Sequence, residues 1–148
     1  MHKLRAWLSL PARSRRGFLR AWGMLAVAEI GLRLTSLERS RRWVAAFAPG
    51  RRNLEVVSPE ELSAWVALAS RHHLLPVTCL RQALVLSALL EKRGDQPVLR
   101  IGACSDGGEL RAHAWVELDG QPVGQRLDIA SQYPPLMPPL SGKAIGSM

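Results

Sequence analysis

The sequence predicts an α+β fold, with helices first, then a central buried helix that begins at a cysteine, then an antiparallel meander. Three observations predict it. Apolar residues recur at near-helical spacing from Phe18 to Leu32. Every residue from Ala83 to Leu90 except Ser87 is apolar, as in a helix buried on nearly all sides. After residue 96 the apolar period falls from about 3.6 to about 2. The 148 residues, 47% of them hydrophobic, fit a single domain with a real core, since domains run to roughly 100–150 residues. Within it, residues 1–52 read as a basic helical region and residues 53–148 as the core that carries the chemistry.

In chain order, Phe18, Trp22, Leu25, Ala26, Ile30 and Leu32 mark the first long helix, a second helical segment follows around Trp43–Ala48, and Pro49-Gly50 stops it. Ser58-Pro59-Glu60-Glu61 is a helix start: Ser58 caps, Pro59 suits the first helical position, and Glu61 stands three residues after the cap. This helix is expected to run through Trp65 and Leu68 to about Ser70. Pro76 forbids continuing it, so Thr78 caps a new helix that opens at Cys79. Lys92, Arg93 and Gly94 close that helix, the cations facing its negative end and the glycine taking the left-handed position. Val98–Ala103 reads as a strand, Ser105-Asp106-Gly107-Gly108 as a turn and Leu110–Leu118 as the second strand. Asp119-Gly120 turns the chain into a third strand over Gln121–Gln125. The proline-rich tail from Tyr133 is expected to be extended or loose.

The charge is unevenly spread. Residues 1–52 hold twelve Lys and Arg against Glu29 and Glu38, a net of +10, whereas residues 53–148 hold eight against ten, a net of −2. Such a basic half suits an acidic partner, a nucleic acid or an anionic membrane surface, or is simply an arginine-rich solvated helix face. Two cysteines make no disulfide scaffold, neither belongs to a CxxC pair, and the four histidines lack metal-ligand spacing. The start of the chain does not read as a secretion signal, because Pro11 interrupts its short apolar stretch and more arginines follow. The run Ala21–Ala28 is far short of the roughly 20 residues needed to span a bilayer. A cytoplasmic, reduced protein is the expectation.

Two residues carry the candidate chemistry. Cys79 stands at a helix N-terminus, where aligned peptide dipoles and unpaired amides stabilise a thiolate. A buried structural cysteine would occupy the same position equally well. In Leu110–Leu118 the alternation is strict, with Leu110, Ala112, Ala114, Val116 and Leu118 on one face and Arg111, His113, Trp115 and Glu117 on the other. His113 therefore lies off the apolar face. A cysteine helix packed over the His113 side of the sheet would pair thiolate with imidazolium; without it, His113 reads as an ordinary surface histidine. His72-His73 read as solvent-facing, Cys104 as a small residue near a turn, and Trp115 as a sheet cover or a cleft wall.

Cys79-Leu80-Arg81-Gln82-Ala83-Leu84, Leu89-Leu90-Glu91-Lys92-Arg93-Gly94, Leu99-Arg100-Ile101-Gly102 and Ala112-His113-Ala114-Trp115-Val116-Glu117-Leu118-Asp119-Gly120 together resemble the transglutaminase-like B protein of lasso-peptide gene clusters. The closer likeness is to its free-standing form, whose leader-binding domain is a separate protein. The resemblance covers roughly residues 60–135. It implies a transglutaminase/papain-like cysteine protease core and a Cys–His–Asp site that removes the leader from a ribosomally made precursor peptide. The family's cysteine falls on Cys79 and its histidine on His113. Its aspartate lies about a dozen residues after the histidine, where this chain has Gly124-Gln125. Asp128 is the next carboxylate and is the favoured third member; Gln125, orienting the imidazole by a hydrogen bond, is the alternative.

The resemblance also implies the partners: the precursor peptide, a separate small leader-recognition protein and, downstream, a lasso cyclase. No metal or nucleotide cofactor is required by such a hydrolysis, and no nucleic acid enters it. Residues 13–42 are one candidate docking surface for the partner. A rival reading keeps the same fold as a non-catalytic peptide-binding module, or one with peripheral membrane contact through the arginine-rich amphipathic N-terminus.

Overall fold

The computed structural model describes residues 2–74, 77–136, 138 and 140–141; Pro76 and Pro139, on which part of the expected chain path rested, lie outside them. Six helices come first: α1 (His2–Leu8), α2 (Ala12–Leu34), α3 (Leu37–Ala46), α4 (Arg51–Glu55), α5 (Pro59–Arg71) and α6 (Cys79–Arg93). Strands β1 (Val98–Asp106), β2 (Glu109–Leu118) and β3 (Gln121–Pro122) follow, then α7 (Ile129–Gln132) and β4 (Leu140–Ser141). The result is an α+β fold in which a cysteine-bearing helix packs against an antiparallel sheet, as the sequence leads one to expect.

The caps act where the residue types place them. Ser58 Oγ accepts from the Glu61 amide at 3.1 Å and starts α5. Thr78 Oγ1 accepts from the Arg81 amide at 3.4 Å and starts α6. Gly94, at φ 112°, ends α6 in the left-handed region, and the amides of Gly94 and Asp95 satisfy the last carbonyls of the helix. The short helices α4 and α7 were not expected, because one turn is too short to show an apolar period.

Helix α6 is the centre of the molecule. It packs against α2, α3, α4 and α5 on one side and against β1 and β2 on the other. Ala83 through Leu90 are all buried, and each leucine among them contributes about 1.5–3 kcal/mol by leaving water. The buried apolar cluster extends from Ala21 of α2 to Val123 after β3, so the first helices and the later strands share one core. Among the described residues, no helix is long and apolar enough to cross a membrane.

A buried charge ties the basic helices to α6. Glu29 of α2 is only 3% exposed and forms ion pairs with Arg33 on its own helix and with Arg81 in the first turn of α6. Removing one member of a buried pair leaves the other charge uncompensated, which costs about 3–5 kcal/mol. Glu29→Ala is therefore expected to lower the unfolding free energy by about 3–5 kcal/mol, read from denaturant melts; an unchanged value would show that Arg81 is adequately solvated without Glu29.

The sheet order is β3-β2-β1-β4, antiparallel throughout. The first turn is tighter than expected. Gly107 and Gly108 both have positive φ, which matches the sheet's twist, so pairing runs on to Asp106 and Glu109. Asp119 and Gly120, also at positive φ, make the second two-residue turn. The third strand is shorter than expected and ends at Pro122 rather than Gln125, but Val123 still donates to the Val116 carbonyl at 2.9 Å.

Candidate active site

Residues directly opposite each other in an antiparallel pair share a face. Leu99 and Ile101 of β1 thus join Val116 and Ala114 of β2, and this is the face that α6 covers. Arg100 and Gly102 join Trp115 and His113 on the other face. The long apolar α6 thus takes the apolar face of the sheet, as burial demands, rather than the His113 side. Cys79 nevertheless lines the same pocket as His113. The pocket, of about 200 Å³, also takes in Gln82 of α6, Ser63 of α5, Trp115, and Gly124-Gln125 from the segment after β3.

Cys79 is the first residue of α6 and half-buried. The first amides of any helix have no carbonyl partner within it. The nitrogens of Cys79 and Leu80 accordingly belong to the positive end of the helix, whereas the Arg81 and Gln82 amides are taken up by the Thr78 side chain and carbonyl. Gln82, one turn further along, brings a neutral amide to the pocket wall. Sequence reasoning did not single it out, although i, i+3 spacing on a helix that opens at a nucleophile candidate would have pointed to it.

His113 is held from several directions. Its Nε2 lies 3.2 Å from Gln125 Oε1. The Trp115 ring is stacked beside it, with centroids 6.2 Å apart, and the Tyr133 ring lies 5.2 Å away. Tyr133 arrives there because the chain after α7 returns along β1. Ala103 donates to the Pro134 carbonyl and Leu136 donates to the Ile101 carbonyl. Gly102, opposite His113, makes the crossing feasible, since a Cβ there would collide with the Tyr133 carbonyl. Behind the ring stack, buried Trp115 donates through Nε1 to Glu117 at 3.0 Å, and Arg100 holds the same carboxylate at 3.2 Å.

Asp128, the favoured third member, takes other partners than the imidazole in this structure. Its carboxylate accepts from Arg126 at 3.1 Å and from Gln132 at 3.1 Å. The Arg126 hydrogen bond above all, opposed by desolvation and helped by Gln132, holds this carboxyl below its ordinary range. Asp128 is not among the pocket's lining residues, whereas Gln125 is and faces the imidazole.

The other candidates lie elsewhere. His73 packs its ring on Trp22 at 4.6 Å and is half-buried rather than solvent-facing, while His72 is exposed. Cys104 is on β1, on the His113 face, and does not line the pocket.

A family model described as the transglutaminase-like superfamily matches residues 12–137. No curated protein and no solved structure matches the chain.

Proposed function

The chain belongs to the transglutaminase-like superfamily, and from that premise we propose that it is a cysteine peptidase that removes the leader of a ribosomally made precursor peptide, in the manner of the lasso-peptide B proteins that its motifs resemble. The supporting observation is the shared pocket: Cys79 at the opening of α6 and His113 on β2 line one hollow, and Gln125 faces the imidazole.

With Gln125 Oε1 accepting from Nε2, Nδ1 is left free to act as the base. The Cys79 thiolate attacks the scissile carbonyl, and the tetrahedral oxyanion is met by amides at the start of α6. The C–N bond then breaks, and the imidazolium delivers its proton to the departing amine of the core peptide. The leader remains as a thioester on Cys79. Water, giving a proton to His113, attacks that thioester, and the leader leaves as a carboxylic acid while the thiol is restored. Gln125 fixes the tautomer and ring plane, a role that a neutral amide fills in Cys-His-Asn enzymes.

The partners in this reading are the precursor, a separate small protein that binds its leader, and a cyclase that takes the freed amine. A docked leader converts a weak encounter into a nearly intramolecular one. The purified chain is therefore expected to release leader slowly by itself and much faster with the leader-binding protein, measured by mass spectrometry at low precursor concentration. Equal single-turnover rates with and without that protein would contradict the partner requirement; no leader release under either condition would contradict the peptidase reading and favour a binding module.

A further inference from the structure

Three hollows lie in series along the outer side of α2, and their linings change in character from one end to the other. The first, about 430 Å³, is walled by Arg13, Arg16 and Arg20 of α2, Arg52 of α4 and Trp65 of α5. The second, about 440 Å³, shares Arg16 and Arg20 and adds Leu19, Gly23 and Phe47. The third, about 400 Å³, shares Phe47 and is completed by Val27, Ile30, Trp43 and Ala46, without a charged residue. Common wall residues set the three side by side as one interrupted groove. It runs from Arg13 to Ile30, about 25 Å at 1.5 Å per helical residue, enough for roughly eight residues of extended chain.

The basic end lacks its counterions. Arg13 is paired with Glu61 at 2.7 Å, but Arg16, Arg20 and Arg52 form no ion pair among the described residues. The sequence before Glu29 holds no acidic residue at all, and Glu29 itself is buried against Arg33 and Arg81. The apolar end is equally unsatisfied: Leu19 is 57% exposed, Phe47 54%, Ile30 51% and Trp43 40%. Large apolar side chains clustered on a surface mark a contact site, whereas scattered ones do not. Between the two ends the floor is open, since nothing lies within 4 Å of where a Cβ on Gly23 would stand.

We infer that this groove docks a peptide segment that carries two or three carboxylates followed by large apolar side chains. Charge complementarity selects the carboxylates for the arginine end, and the separate hollows receive apolar side chains one at a time. A nucleic acid fits poorly, because phosphates would require cations along the whole length rather than at one end. A bilayer fits poorly, because it covers convex apolar faces rather than filling successive hollows.

The groove also has a direct relation to the candidate active site. Trp65 walls its arginine end, while Ser63, Val66 and Ala67 of the same α5 line the pocket that holds Cys79. One helix, about 10 Å thick, separates a docked segment from the thiol. This deepens the peptidase reading and rests on it for the effect on cleavage: the groove anchors the acidic, apolar part of the substrate complex while the scissile bond crosses α5.

The test is binding, measured apart from cleavage. Cys79→Ala protein is titrated into a fluorescein-labelled peptide with an acidic cluster followed by spaced Leu and Phe, and fluorescence polarisation is read. Saturable, salt-sensitive binding is expected, weakened about tenfold or more by Arg16→Glu with Arg20→Glu and, independently, by Gly23→Trp, which fills the floor. Circular dichroism and thermal melting verify that these variants fold. Matched titrations use phosphatidylglycerol vesicles and a single-stranded DNA oligonucleotide. Peptide binding that both folded variants leave unchanged overturns the proposal. So does groove-dependent binding of vesicles or DNA in place of the peptide. Groove-dependent peptide binding without any precursor cleavage by the unmodified chain, with or without the leader-binding protein, would overturn the peptidase reading and leave the docking site standing.

Discussion

Cys79→Ala is expected to abolish leader release, while Cys104→Ala retains most of it. The two thiols differ in place, not in chemistry. Cys79 opens a fifteen-residue helix and lines the pocket with His113, whereas Cys104 sits on a strand outside that pocket. Of the two thiols, only Cys79 shares a pocket with an imidazole that could serve it as base. Losing the nucleophile of a cysteine–histidine pair costs on the order of 10⁶-fold in rate by analogy with serine hydrolases, which in practice means no product. Iodoacetamide near neutral pH should likewise modify Cys79 faster than Cys104, read by peptide mass mapping. Leader release by a cleanly folded Cys79→Ala protein, free of contaminating protease, would end the mechanism proposed for this site.

The second large effect separates two neighbours on one loop. Gln125→Ala is expected to lower the rate on the order of a hundredfold with the fold intact, because the hydrogen bond that fixes the useful imidazole tautomer is lost. Asp128→Asn is expected to be mild, since that carboxylate is spent on Arg126 and Gln132. Stability should hardly respond either. The depressed carboxyl of Asp128 favours folding only above its unfolded value and loses that contribution as pH falls through its lower folded value, at the acid end of the range. An exposed pair contributes little even there. The reverse pattern in the two rates, a crippled Asp128→Asn and an active Gln125→Ala, would return the orienting role to the carboxylate.

The position of Gln125 was legible in the sequence once the hairpin turn was taken literally. Glu117 pairs with Pro122 across Asp119-Gly120. Each step back along β2 is matched by one step forward beyond Pro122, so four steps to His113 lead to residue 126. Gln125 stands beside that point and Asp128 two residues past it. Against Asp128 stands a contact of short range: Arg126, two residues before it, pairs with the carboxylate.

Local signals carried most of the fold. The caps at Ser58 and Thr78, the glycine stop at Gly94 and the apolar run Ala83–Leu90 are each decided within a few residues, and each took the form that its spacing predicts. Leu110–Leu118 formed its strand, but Leu110 is exposed while Trp115 and Glu117 of the other face are buried, because the far end of the strand is covered on both sides. Helices α4 and α7 escaped notice because their one or two turns carry no readable period.

The sequence by itself determined the α+β order, a cysteine at the opening of the buried helix, a histidine off the apolar face of the second strand and an arginine-rich first part. Only the tertiary structure decided which face of the sheet α6 covers, that Cys79 and His113 share a pocket although the helix lies on the other face, and that Tyr133 passes over Gly102 to reach the imidazole. It alone also lined up three arginines that form no ion pair among the described residues with an apolar stretch built from α2, α3 and Phe47. The physical reason is one of range. Capping, turn geometry and strand alternation are set by neighbours a few residues apart, but what covers a face is set by the burial of segments far apart in the chain, and no local period records which partner a face will meet.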